Sequence, residues 1–318
     1  MGKIAIVTGA NRGLGYGCLK GLAEHSDCKI VYLTARNEQA GRTAQASLSS
    51  ELGKNGKKIR FHQLDVTDKE SVESFRRFFL QTHGENSLDI LINNAGVYKG
   101  NTDLLPEDSE ISMSVNYWGV RNMNDAFEPL LAPHARVVAV ASRSGAIRSI
   151  TNEAMKQRLL SADLTQEEVD KFAEDYIRVC QTGDLSKVEE AGFATVPYGI
   201  SKVFVIALTR VQSKRLQADL KRPGILANSC CPGAVLTDML YSAIGATIQV
   251  GDELIPGIRI KNVEDGCDTI LHLALLPRDA AKPNGEVVAE RQVQDWESFL
   301  TAQEVNAKLE ETKRQREK

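Results

Sequence analysis

Tyr198 and Lys202 stand four residues apart in Tyr198-Gly-Ile-Ser-Lys202, at the head of a run in which Val203, Ile206 and Ala207 recur with helical period. At that spacing both side chains leave one face of a helix. A phenol is a poor acid at neutral pH, with an ordinary pKa of about 10. An ammonium held beside it stabilises the phenolate, lowers that pKa and makes the proton available for transfer. A lone Tyr-x-x-x-Lys pair recurs by chance in many helices. Here it shares the chain with Ser142, at the end of an apolar run, and with the glycine-rich Thr8-Gly-Ala-Asn-Arg-Gly-Leu-Gly15 near the start.

Gly9, Gly13 and Gly15, with Asn11, Arg12 and Leu14 between them, follow a first apolar run and open a helical one. Glycines let backbone approach a pyrophosphate, and a helix N-terminus offers free N–H groups and a positive dipole end. The pattern G-x-x-x-G-x-G differs from the commoner G-x-G-x-x-G, and an ordinary tight turn is its alternative. An acid at the end of the second strand would hold the ribose 2′-OH of NAD, whereas an arginine would accept the 2′-phosphate of NADP. That strand ends Thr34-Ala35-Arg36, and Arg12 can approach the same phosphate from the glycine turn. Either arginine alone reads equally as a solvated charge; together they point to NADP(H). Asp65-Val66 ends the third strand, where the carboxylate is placed to meet an adenine amino group. Asn94-Ala95-Gly96 ends the fourth, where small residues let a cofactor cross the sheet, with a tie between two strands as the alternative role of Asn94. Pro232 and Gly233 follow the sixth, either as a plain turn or, with Val235 to Thr237, as contacts for a nicotinamide carboxamide.

The elements that must position these groups are legible as alternation. Runs at 4–8, 29–34, 59–63, 89–93, 137–140 and 224–228 read as strands, with a weak last one at 286–289. Their near-continuous apolarity implies burial on both faces, as in a parallel sheet. Helical patterns lie between them, one opening at a capping box Thr67-Asp-Lys-Glu70. The expected fold is therefore α/β: a single Rossmann-type, doubly wound parallel sheet with helices on both faces. Residues 148–197 interrupt the rhythm with a polar helical insertion before Tyr198. Within it Thr165-Gln-Glu-Glu168 reads as a capping box, Leu164 and Val169 as its hydrophobic staple. Val169, Phe172, Ala173, Tyr176, Ile177 and Cys180 form one apolar stripe. The domain is expected over 1–296, with 297–318 a charged tail, frayed or helical.

Composition narrows the function classes. The 318 residues carry 42% hydrophobic side chains and a net charge of −3, which supplies a sizeable core and argues against nucleic acid or an anionic membrane as partner. No run approaches a membrane span, and the chain starts directly with a strand pattern. The six cysteines show no C-x-x-C pair and no zinc-like spacing. Reduced thiols, no metal site and a cytoplasmic location are expected.

These motifs, with Leu33-Thr-Ala-Arg36, Phe61-His-Gln-Leu-Asp65, Asn116-Tyr-Trp-Gly119 and Cys230-Cys-Pro-Gly233, resemble a classical short-chain dehydrogenase/reductase from Gly2 to about Trp296. More narrowly, the chain is similar to the monomeric NADPH-dependent carbonyl reductases. The resemblance implies a tetrad of Asn116, Ser142, Tyr198 and Lys202. Tyr198 would protonate the substrate oxygen as hydride arrives from NADPH, Ser142 would hydrogen-bond that oxygen, and Lys202 would bind the nicotinamide ribose and depress the tyrosine pKa. Asn116 would bend its helix and hold a water that feeds protons through Lys202. Ser142 and Tyr198 lie 56 positions apart, and in the monomeric reductases an insertion at this place covers the surface through which relatives pair, so a monomer is implied.

Departures concern the substrate. Ala234 stands where several carbonyl reductases carry tryptophan, Cys231 where some contact glutathione conjugates, and the loop 97–100 is short. A segment from Met239 to Ile255, with Met239, Leu240, Tyr241, Ile244 and Ile248, is the expected lid over an apolar or aromatic carbonyl. Reduction of ketones, aldehydes or quinones is the leading expectation. Its rivals are an NADP-dependent dehydrogenase of a steroid, retinoid or eicosanoid alcohol, and a non-catalytic NADP(H)-binding regulator, which typically lacks the tyrosine or lysine that this chain has.

Overall fold

Short β-branched runs hidden on both faces make inner strands, and the computed structural model, which describes residues 2–99, 106–244 and 248–316, places these runs inside the sheet except the one at 59–63, which lies at its edge, half-exposed. The strands are β1 (Lys3–Val7), β2 (Cys28–Ala35), β3 (Ile59–Gln63), β4 (Leu88–Asn93), β5 (Leu131–Val140) and β6 (Leu226–Cys231). Shorter ones follow: β7 (Ala234–Val235), β8 (Glu253–Ile255), β9 (Ile258–Lys261), β10 (Val287–Ala289) and β11 (Gln292–Val293). One eight-stranded sheet has the order β11-β10-β6-β5-β4-β1-β2-β3, and β7, β9 and β8 form a small second sheet. The large sheet is parallel except for its edge pair β10 and β11. The strand order reverses between β1 and β4, which opens a crevice at their carboxyl ends.

The helices are α1 (Gly13–Glu24), α2 (Glu38–Leu52), α3 (Lys69–His83), α4 (Pro106–Ser112), α5 (Gly119–Phe127), α6 (Glu153–Leu160), α7 (Gln166–Cys180) and α8 (Leu185–Glu190). After them come α9 (Pro197–Gln217), α10 (Asp238–Ile244), α11 (Val263–Ala274) and α12 (Ala302–Arg316). Side chains of one strand alternate between two cores. Val7, Leu33 and Ile92 pack with Leu19 and Leu22 of α1 and Ile270 of α11. Ile6, Tyr32 and Leu91 pack with Phe75 and Phe79 of α3 and Phe127 of α5. α9 starts with Pro197 in its first turn, where a missing N–H is harmless, and is buried along most of its length.

The insertion folds as α6, α7 and α8. Thr165 and Glu168 form the expected reciprocal capping box, and Leu164 and Val169 are both buried beside it. Val169, Ala173, Tyr176 and Cys180 are buried in one core with Phe204 and Val205 of α9, and Phe172 and Ile177 pack against it.

Three local expectations change. α3 is capped by Asp68, which accepts from the Glu70 N–H, while the Thr67 hydroxyl turns back to the Asp65 carboxylate at 2.7 Å. The competing acceptor explains why no Thr67 capping box forms. The sixth strand runs to Cys231 and not from Gly224 to Asn228, because its register with β5 extends to Cys230 and β10 pairs with it as far as Cys231. The segment after Trp296, expected as a charged tail, is packed: Trp296 and Phe299 enter the core around α9, and α12 lies against β8. The last two residues, Glu317 and Lys318, and Gly100 at the end of the 97–100 loop fall outside the described residues.

Candidate active site

The chain turns sharply after β1 at Gly9, whose φ of +61° suits glycine, and α1 begins at Gly13. A Cβ on Gly9 would stand 2.8 Å from the Ala95 Cα, so the turn sits directly against the end of β4. Thr8 and Asn94 stitch the two strands together. The Asn94 amide donates to the Thr8 carbonyl at 2.8 Å and to the Gly9 carbonyl at 3.1 Å, and the Thr8 hydroxyl accepts from the Asn94 and Ala95 N–H groups. Asn94 thus makes the strand tie that was one of its two readings. α1 has no side-chain cap, and its first turn opens on a cavity of about 840 Å³.

That cavity gathers most of the candidate residues. Gly9, Asn11, Arg12, Gly13, Leu14 and Arg36 line one end, with Asp65, Val66, Asn94, Ala95 and Gly96 along the switch point. Pro232, Gly233, Val235 and Thr237 line the wall beyond β6, and Ser142, Tyr198, Lys202, Cys231 and Ala234 the deeper end. Gly15 and Asn116 do not line it. Gly15 supports the turn from behind, where a Cβ would meet the Asn94 amide nitrogen at 2.6 Å. The residues present fit a dinucleotide phosphate: an uncapped helix start, a close backbone turn and two exposed arginines converge at one end. The Arg12 guanidinium pairs with Asp238 at the head of α10 at 2.9 Å, with both side chains mostly exposed. The Asp65 carboxylate is held by the Thr67 N–H and hydroxyl.

At the deeper end, β5 delivers Ser142 and α9 delivers Tyr198 and Lys202. The Ser142 hydroxyl accepts from the Ser144 N–H at 3.1 Å and acts to lower the pKa of the Tyr198 phenol. Lys202 is buried; its ammonium donates to the Val140 carbonyl at 2.8 Å and lies 5.6 Å from the centre of the Tyr198 ring. Burial pushes the Lys202 ammonium down to about 8. Burial also pushes the Tyr198 phenol up, against the opposing pull of Ser142. The expectation that Lys202 lowers the tyrosine pKa is therefore corrected: desolvation of the phenolate outweighs the favourable contacts it makes.

Asn116 lies in a stretch of π-helix, Met113–Trp118, between α4 and α5. Its amide is fully buried and donates to the Val97 carbonyl at 3.0 Å and the Ser201 hydroxyl at 2.9 Å, and its oxygen accepts from the Val97 N–H.

Sequence reasoning missed two parts of the site. The Tyr98 ring packs on Tyr198 with centroids 4.9 Å apart, a contact made by a loop whose path no periodicity encodes. Ala302, Val305, Asn306 and Leu309 of α12 line the same cavity. The lid is only partly as expected. Met239 and Leu240 line the cavity, Tyr241 is exposed, and Ile248 packs with Ile260 of β9. The Ile244 side chain and residues 245–247 lie outside the described residues.

Residues 3–155 match the family model described as short chain dehydrogenase. The chain is 35% identical over 302 residues to carbonyl reductase (NADPH) 3 of Homo sapiens, covering 92% of this chain and 98% of that protein. It is 34% identical over 297 residues to carbonyl reductase (NADPH) 1 of Homo sapiens, with the same coverage of 92% and 98%. Among solved structures, salutaridine reductase from Papaver somniferum superposes with a TM-score of 0.73 at 27% identity, covering 90% of this chain and 99% of that one.

Proposed function

The chain belongs to the short-chain dehydrogenase/reductase family, on its carbonyl-reductase branch, and from that premise we infer that it is an NADPH-dependent carbonyl reductase, which turns ketones, aldehydes or quinones into alcohols. Bound NADPH supplies the hydride. The observation that carries the rest of the reading is that Ser142, Tyr198 and the buried Lys202 line the same cavity as the glycine turn with Arg12 and Arg36.

The roles follow from the groups. Ser142 donates a hydrogen bond to the substrate carbonyl oxygen and steadies the negative charge that builds there. Tyr198, kept protonated by its burial, gives its proton to that oxygen. Lys202 holds the cofactor ribose and returns a proton towards the phenol. Asn116 fixes the Val97 loop and, through Ser201, the first turn of α9. Its amide spends both donors on that frame and its oxygen accepts from Val97, so the water that it was expected to hold would have to share this oxygen. Arg12 and Arg36 hold the 2′-phosphate. Cys231 and Ala234 border the substrate.

The protein acts as a monomer in this reading, since α7 buries its apolar stripe against α9 and so occupies that helix's outer face. Among the described residues no helix is long and apolar enough to cross a membrane.

The test is loss of NADPH absorbance with menadione, isatin, an aromatic aldehyde and a steroid ketone, for wild type and Tyr198→Phe, each with NADPH and NADH. Turnover that prefers NADPH and falls by about 10²–10⁴-fold in the variant is expected. Tight NADPH binding without turnover of any of the four would overturn the reading.

A further inference from the structure

We propose that α12 is the distal wall of the substrate cavity and selects carbonyl compounds with an extended apolar body; this rests on the carbonyl-reductase reading above. Ala302, Val305, Asn306 and Leu309 fall at i, i+3, i+4 and i+7, a single helical face, and all four line the cavity that holds Ser142 and Tyr198. The face is apolar at three of its four positions. From Ala302 to Leu309 it extends about 10 Å along the helix axis at ~1.5 Å per residue, so a substrate must carry a long body to use all of it.

The near end of this wall is fixed to the reacting groups. A Cβ on Gly199, next to Tyr198, would stand 2.9 Å from the Ala302 Cβ, so the glycine lets α12 start against the catalytic helix. Thr301 and Glu304 cap the start of α12 reciprocally, at 2.7 and 3.2 Å. Arg148, from the segment after Ser142, donates to the Glu304 carboxylate and to the Phe299 carbonyl, both at 2.8 Å. Gln303 donates to the Thr195 hydroxyl at 2.9 Å, just before α9. The helix is therefore bound to both segments that carry Ser142 and Tyr198, and its far end can meet only the part of a substrate remote from the carbonyl.

The experiment compares kcat/KM for pyridine-3-aldehyde and for a fused-ring steroid ketone. Wild type is expected to favour the steroid ketone. In Val305→Trp, which fills the cavity from α12, the steroid-to-aldehyde ratio is expected to fall at least about tenfold. Val305→Ala with Leu309→Ala, a milder change to the fold, is expected to raise KM for the steroid ketone about tenfold with kcat held. NADPH binding, followed by fluorescence, reports that each variant is folded. Parallel loss of both substrates, an unmoved ratio in the folded variants, or wild-type preference for the small aldehyde would overturn the role of α12 while leaving carbonyl reduction intact. No turnover of either substrate would overturn the carbonyl-reductase reading itself.

Discussion

The Asn116 amide donates to the Ser201 hydroxyl at 2.9 Å, and that hydroxyl passes a hydrogen bond of 2.7 Å to the Tyr198 carbonyl. A buried side chain in a π-helical stretch is thereby joined to the first turn of the helix that bears the phenol. Ser201→Ala removes the acceptor and leaves a buried N–H without a partner, a loss of about 1–3 kcal/mol in stability. A lower midpoint in urea with unchanged slope is expected. An unshifted midpoint would show that the bond contributes nothing to holding α9.

Lys202 sets a pH window. Its folded pKa, pushed down to about 8 from the ordinary 10.5, means that between those values the unfolded chain binds more protons than the native one. Stability conferred through this group therefore rises with pH across that window, and its burial penalty is fully present below pH 8. The buried phenol of Tyr198 acts in the opposite sense, above its ordinary pKa of about 10. In catalysis the ammonium is the form that can return a proton towards Tyr198. Carbonyl reduction measured as kcat/KM is expected to decline as pH rises through about 8. A profile flat to pH 10 would exclude Lys202 as the proton source.

Much of this arrangement was legible because it rests on local rules. Strands hidden on both faces announce themselves as unbroken apolar runs, and Tyr198 and Lys202 are placed by helical spacing alone. The cap of α3 was not legible, since Thr67 and Asp68 are both good N-caps and only the position of the Asp65 carboxylate decides between them. The inner face of α12 was present in the sequence as Ala302, Val305 and Leu309. It was overridden there by the charges of the outer face and by the polar Asn306 in the middle of the stripe. Tyr98 carried no signal, because a loop residue's partner depends on where the chain crosses the switch point. The tyrosine pKa was misjudged because spacing shows which charges are near and not how much water has been removed.

Cofactor choice is expected to rest on Arg12 and Arg36. Each guanidinium that meets a phosphate makes charge-assisted hydrogen bonds of about 1.5–3 kcal/mol, so Arg12→Ala and Arg36→Ala should each raise KM for NADPH by about 10–100-fold. KM for NADH should move little. Asp238→Asn releases Arg12 from its 2.9 Å partner and is expected to lower KM for NADPH modestly. Equal losses with both cofactors would show that the arginines hold the turn and not the phosphate.

The insertion is expected to keep the protein monomeric. The stripe of α7 is closed against α9 in part by Phe193, whose ring meets Tyr176 edge-on at 5.2 Å and is itself buried. With that face occupied, light scattering is expected to give a mass near 34.9 kDa, the single chain. Phe193→Ala opens a cavity under α7 and should reduce stability by about 3–5 kcal/mol. A loosened insertion uncovers Phe204 and Val205 of α9, so the variant should begin to associate as its concentration rises. A wild-type mass of twice the chain would show that α7 does not close this face to a second copy, and the covering role of the insertion would fall with it.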